Sequence, residues 1–187
     1  MSVPEFHSVA EGDLTLDDHE AIAATLARAF DDYSHWYQGG RSWAGMQPER
    51  RVLARDADGL VLAHAGIRRM HVTVGETDLP IAAVGMVAVA PARQGSGLGT
   101  ALLAAVDSTL DDLGVGFGLL ETGEGVQQFY RKHGWLPLEG VTGHFSALSA
   151  DGAGVLVSQD EGWLIKPVRA SPADWPAGDI RWNGQMV

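Results

Sequence analysis

The stretch Val84 to Thr100, VGMVAVAPARQGSGLGT, constrains the fold more than any other part of the chain. A run of β-formers ends at Pro91, and a loop with glycines at 95, 97 and 99 leads directly into the apolar, helix-forming segment Ala101 to Leu113. Proline lacks the N–H that a strand ladder needs, so the strand stops where the loop begins. Glycine has no Cβ, so the loop backbone takes positive φ and approaches an anion closely. The first N–H groups of the following helix have no partner inside it and present the positive end of its dipole. Strand, bare loop and helix N-terminus in this order make a cradle for a pyrophosphate.

Other anion-binding loops fit less well. A dinucleotide fingerprint needs G-x-G-x-x-G inside a βαβ unit, with an acid about 20 residues on. Glu121 sits near that distance, but Gly95-x-Gly97-x-Gly99 has the wrong spacing. A nucleotide-hydrolase loop ends in Gly-Lys-Ser/Thr, and this loop has no lysine. Ser96 stands between glycines without the Gly-x-Ser-x-Gly elbow of a hydrolase nucleophile.

A chain of 187 residues, 45% apolar and 20% charged, is read as one domain over residues 1–187 with a sizeable core. No apolar run approaches the length of about 18 residues needed to span a bilayer, and the acidic N-terminus is unlike a signal peptide. A cytoplasmic location is expected. The absence of cysteine excludes disulfides and thiolate chemistry. The seven histidines form no H-x-x-x-H or H-E-x-x-H pair, so no metal site is expected. A formal charge of −11 excludes a basic nucleic-acid footprint and favours a cationic partner. Residues 1–32 alone carry eight acids against one basic residue, Arg28.

Local patterns predict a first strand over Val3–Val9 and a helix from Leu16 to about Tyr33, opened by a capping box at Thr15 and Asp18. Ser34 to Met46, with Trp36, Tyr37 and Trp43, reads as short helical turns. Antiparallel hairpins follow: Arg51–Arg55, Leu60–Val74 and Leu79–Ala90, separated by turns at 56–59 and 75–78. Beyond the cradle come a buried strand Val115–Glu121 and a helix Glu124–His133 closed by Gly134. Strands over Leu136–Leu148 and Gly154–Val168 are expected next, then a tail rich in Pro, Gly and Trp from Ser171.

Gln94-x-x-Gly97-x-Gly99 resembles the acyl-CoA loop of the GCN5-related N-acetyltransferase (GNAT) superfamily. Phe129-Tyr130-Arg131-Lys132-His133-Gly134-Trp135 resembles that superfamily's F-Y-x-x-x-G-F helix end. The resemblance implies an α+β (α/β) GNAT fold: a mixed, mostly antiparallel sheet, flanked by helices and splayed at its central strands. It implies acetyl-CoA as cofactor, held by Val87, Ala88, Val89, Gln94, Gly95, Ser96, Gly97, Leu98, Gly99 and Thr100. Val87 and Val89 would pair with pantetheine, and the Val87 N–H would meet the oxyanion. Tyr130 would be the general acid, since a phenol with a pKa near 10 carries its proton at neutral pH. The glutamate that many members carry on the central strand is absent, with Gly85 and Met86 in its place. Glu121 is the leading candidate base, ahead of Asp31, Asp32, His35 and Asp179.

A narrower resemblance, to the aminoglycoside 2'-N-acetyltransferases, rests on Leu62-Ala63-His64-Ala65 with Arg68-Arg69, Arg131-x-x-Gly134-Trp135-Leu136-Pro137, and Asp174-Trp175-Pro176-Ala177-Gly178-Asp179-Ile180. It implies an aminoglycoside or related aminocyclitol antibiotic as acceptor, resistance as the role, and a homodimer. The implied acceptor site takes Asp179, then Asp160 or Glu161, with Asp31 or Asp32 closing the front; Gly85 and Trp182 are assigned to it as well, and Trp36, in its aromatic segment, is read as a substrate wall or as ordinary packing. Arg181 and the residues after Trp182 depart from that family. Another small amine, a polyamine, a protein N-terminus, or cofactor sensing without turnover remain as alternatives.

Overall fold

The computed structural model describes residues 4–148 and 154–187. Two compact units divide the chain: residues 1–68, 84–109 and 187 in one, 69–83 and 110–186 in the other. Two strands and one helix contribute to both: β3 (Val61–Val74), β4 (Thr77–Val89) and α2 (Leu98–Leu113).

In the first unit, strands β1 (His7–Ala10) and β2 (Arg50–Arg55) pair antiparallel, and β2 pairs antiparallel with the first half of β3. Helix α1 (Leu16–Ala29) starts at the Thr15–Asp18 capping box, where each side chain takes the other's backbone N–H. Its buried Ile22, Ala23 and Leu26 pack with Tyr37, Leu53, Val61, Met86 and Ala88. The helix ends four residues short of Tyr33: Phe30 leaves helical geometry, and Asp31–Gly40 form 3-10 turns. Asp and Ser side chains compete for nearby backbone groups, which favours this break.

The second unit holds the sheet order β6-β9-β5-β4-β3-β10-β7-β8. Its further strands are β5 (Phe117–Glu121), β6 (Leu136–Pro137), β7 (Gly143–Leu148), β8 (Gly154–Gln159), β9 (Trp163–Pro167) and β10 (Ile180–Gln185). Strand β5 runs parallel to β4 and antiparallel to β9. Helix α3 (Glu124–Lys132) follows β5. The mixed sheet flanked by helices is the GNAT fold.

Several expected elements divide or shift. The first strand runs His7–Ala10 and so starts later than the expected Val3–Val9, of which Val3 lies outside the described residues. Helix α2 begins at Leu98 instead of Ala101, so Gly99 lies in its first turn. The expected Leu136–Leu148 strand is two strands separated by a turn, and Gly154–Val168 is likewise two. The tail yields an unexpected strand: β10 inserts between β3, antiparallel with Ile180 opposite Val74, and β7, parallel with Ile180 opposite Gly143.

At Gly143 a Cβ would stand 1.9 Å from Trp163 Cζ2. Gly143→Ala therefore lowers stability by about 2–3 kcal/mol through overpacking, read as a melting midpoint roughly 5–10 °C lower. An unchanged midpoint would contradict this contact.

Candidate active site

The cradle belongs to the first unit. Pro91 starts a 3-10 turn, Pro91–Arg93, and the Gln94 N–H donates back to the Pro91 carbonyl at 3.3 Å. Gly95 and Gly97 both take left-handed geometry, φ +74° and +86°, and a Cβ on either would meet nothing within 4 Å. The loop thus faces open space. Two contacts fold its polar side chains back on the backbone: Ser96 Oγ donates to the Arg93 carbonyl at 2.6 Å, and Gln94 Nε2 to the Val89 carbonyl at 3.4 Å. Among the described residues, no protein acceptor meets the N–H of Gly95, Ser96, Gly97, Leu98 or Gly99. Leu98 plants its side chain in the core while its N–H opens α2. Thr100 lies in the same first turn. A row of unpaired amides at a helix N-terminus, with room above it, fits a diphosphate.

Val87, Ala88 and Val89 end β4 in the same unit. At Gly85 a Cβ would stand 2.1 Å from the Val187 backbone oxygen, and Val187 packs against the α1 core. The position where many GNAT members carry a glutamate therefore has no room for any side chain. Asp31 and Asp32 are exposed at the start of the 3-10 segment. Trp36 packs on the α1 core with its ring edge-on to Tyr33 and to His35.

Tyr130 and Glu121 belong to the second unit. Tyr130 lies on the last turn of α3, 6% exposed, with its ring edge-on to Phe129 and Trp135 at 5.4 and 6.0 Å. Helix α3 ends one residue earlier than expected, and the Tyr130 carbonyl accepts the N–H groups of His133 and Trp135. Burial raises the phenol's pKa above its ordinary value near 10, so the group keeps its proton. Glu121 ends β5 half-buried, and burial raises its carboxyl pKa as well. Its Oε1 lies beside Gly162, where a Cβ would stand 2.8 Å away.

Two of the proposed acceptor-binding acids converge on one residue of this unit. Asp179 Oδ1 accepts the Thr142 N–H, and Asp160 Oδ1 accepts the Thr142 hydroxyl, each at 3.0 Å. Glu161 follows Asp160 and is exposed, with its carbonyl accepting from Gln159 Nε2. Trp182 is buried with its ring 5.9 Å from that of Trp163, and its Nε1 is buried without a partner.

The D-W-P-A-G-D tail has structural work within the second unit. Asp174 closes a capping box with Ser171, Trp175 packs edge-on against Phe117 at 5.1 Å, and the Asp179 carbonyl accepts the Gly75 N–H. These contacts steer the chain into β10.

One group of residues escaped the sequence reading. Arg51 on β2, fully buried, is gripped by both Glu11 carboxylate oxygens, Nε at 2.7 Å and Nη2 at 2.8 Å. Its Nη1 donates to the Ser42 carbonyl at 2.7 Å and approaches His64 Nε2 at 3.2 Å, and His64 Nδ1 lies 2.9 Å from the Met86 carbonyl oxygen. Burial, assisted by the Arg51 charge, lowers the His64 pKa to about 3, so the imidazole is neutral. Deleting Glu11 would strand a buried guanidinium, a loss on the order of 3–5 kcal/mol. His64 entered the sequence reading only as part of a tetrapeptide, because its partners lie 13 and 22 residues away.

The family model of nodulation protein A (NodA) matches residues 5–187. The nodulation protein A of Mesorhizobium japonicum is 30% identical over 180 residues, covering 91% of this chain and 90% of that protein. That of Rhizobium etli is 32% identical over 184 residues, with 91% and 90% covered. That of Rhizobium meliloti is 36% identical over 111 residues, 57% of this chain and 56% of that protein. In structure, the chain resembles a GNAT family acetyltransferase from Brucella melitensis in complex with acetyl-CoA, with TM-score 0.58 at 20% identity and 96% of each chain covered. It also resembles Escherichia coli YhbS in complex with CoA, with TM-score 0.61 at 14% identity, covering 98% and 92%. These two likenesses establish the fold. The family match replaces the narrower resemblance to aminoglycoside 2'-N-acetyltransferases. The chain belongs to the nodulation protein A family and is an N-acyltransferase of GNAT fold.

Proposed function

We propose that this chain transfers the acyl group of a coenzyme A thioester directly to the free amine of an amino sugar, of the chitooligosaccharide class on which nodulation protein A acts. The supporting observation is the row of unpaired amides from Gly95 to Gly99 at the start of α2. They hold the diphosphate, and the end of β4 at Val87–Val89 lies along the pantetheine arm. The bound thioester supplies an activated acyl carbon. The amine nitrogen bonds to that carbon and the C–S bond breaks. Tyr130 gives its phenolic proton to the departing thiolate, and Glu121 takes the amine's proton through a water. Burial raises its carboxyl pKa, which makes it a stronger base than an exposed carboxylate. Asp31 and Asp32 on the first unit, and Asp160 and Asp179 on the second, each add negative charge that attracts a cationic acceptor.

Thiol release from acetyl-CoA, measured across an acceptor panel, tests this reading. Chitooligosaccharides bearing one free amine are expected to be acylated with kcat/KM at least about tenfold above aminoglycosides, spermidine and an N-terminal peptide. Turnover confined to the non-sugar amines, or no turnover with any acceptor, would overturn it.

A further inference from the structure

Met86 is the one residue other than glycine, among those described, with positive φ, at +51°. A side chain with a Cβ avoids this conformation unless its surroundings impose it, and such residues gather at working sites. Here the imposing group is visible. The Met86 carbonyl turns to the His64 ring, whose Nδ1 lies 2.9 Å from the oxygen. The carbonyl of Met86 and the N–H of Val87 belong to one planar trans peptide group, and they point in opposite directions across it. Whatever fixes the carbonyl therefore fixes the direction of the Val87 N–H, away from the ring.

The ring is itself fixed. A guanidinium can only donate, so Arg51 Nη1 at 3.2 Å makes His64 Nε2 an acceptor and leaves the proton on Nδ1, where it donates to Met86. Arg51 is held in turn by both carboxylate oxygens of Glu11 and by the Ser42 carbonyl. Both Arg51 and His64 are fully buried. A buried ion pair contributes little net stability over apolar residues of the same volume, whereas orienting an imidazole and choosing its tautomer is something apolar residues cannot do.

We propose that Glu11, Arg51 and His64 form a positioning relay that locks the Met86–Val87 peptide plane, so that the Val87 N–H is aimed at the thioester carbonyl oxygen before charge develops on it. The relay rests on the acyl-CoA reading given above. None of its three side chains reacts; they act through the backbone of β4. A donor already aimed at the developing oxyanion needs no reorientation during the reaction, which makes such donors effective.

Three readings on the intact protein test it. In the unliganded protein, 15N NMR is expected to place the His64 proton on Nδ1; a proton on Nε2 alone, or on both nitrogens at neutral pH, overturns the relay. With carbonyl-labelled acetyl-CoA bound, the infrared thioester stretch is expected below its position in solution, and a stretch at the solution position overturns it. Two polar variants then separate positioning from packing. His64→Asn keeps an N–H donor near the Nδ1 position, whereas His64→Gln carries it to the Nε2 position. The Asn variant is expected to retain the lowered stretch and kcat within about threefold. The Gln variant is expected to return the stretch to its solution position and lose about 10- to 100-fold in kcat. Both should bind acetyl-CoA within about twofold of wild type by calorimetry. Equal behaviour of the two variants overturns the relay, and should neither fold, the two wild-type readings decide alone. Failure of the wild-type protein to bind acetyl-CoA would instead overturn the cofactor reading on which the relay rests.

Discussion

Gly97→Asp lowers coenzyme A affinity by at least about 100-fold. The position has φ +86° and open space around it, so an aspartate side chain meets no neighbouring atom, while the left-handed backbone strains any residue that carries a Cβ. That strain is read in the melt of the variant, and Gly97→Ala, which shares it, separates it from the effect of charge on binding. A carboxylate about 4 Å from a phosphate oxygen repels it by roughly 4 kcal/mol at an effective dielectric near 20. That exceeds the roughly 2.7 kcal/mol that corresponds to 100-fold. Calorimetry with coenzyme A and a thermal melt of the variant check both halves. Gly97→Ala, lacking the charge, is expected to bind within about tenfold of wild type. Tight binding by the Asp variant would remove residues 94–100 as the diphosphate site.

Tyr130→Phe is expected to lower kcat by about 10²- to 10⁴-fold, the range for loss of a general acid, with acetyl-CoA affinity unchanged within about twofold. Phenylalanine keeps the edge-on packing against Phe129 and Trp135, so the fold survives the change. The pH dependence sharpens the test. Burial holds the phenol above its ordinary value, so Tyr130 stays protonated through pH 9, and the wild-type rate should not fall there through its ionisation. Glu121, with its carboxyl pKa raised, predicts an acid limb displaced upward from the usual carboxylate range: the rate falls as pH drops and the base takes up its proton. A Phe variant with wild-type kcat across this range would exclude Tyr130 as the acid.

What the sequence revealed was what neighbouring residues decide. Pro91, the alternate glycines and the apolar segment after them announce strand end, loop and helix in direct succession, and the loop's geometry follows from the missing Cβ atoms. The Thr15–Asp18 capping box and the turn at Gly134 are equally local. What was missed depends on distant partners. Strand β10 exists because β3 and β7 leave a place between them, and Ile180 pairs with Val74, over 100 residues away in sequence. Its Pro- and Gly-rich approach hid it. The lack of a carboxylate at Gly85 was legible, but its cause was not: Val187, at the far end of the chain, brings its backbone oxygen into that space. The Glu11–Arg51–His64–Met86 chain draws on four elements and shows no spacing of its own. The D-W-P-A-G-D motif invited an antibiotic acceptor, whereas Trp175 and Asp179 serve contacts that lead into β10.

The central claim is that bare amides at the start of α2 hold the diphosphate of coenzyme A. Backbone 15N–1H spectra recorded during a coenzyme A titration test it most directly. The account predicts that the amides of Gly95, Ser96, Gly97, Leu98 and Gly99 shift together and saturably. Saturable binding with those five amides unmoved, or no binding at millimolar coenzyme A, would contradict it.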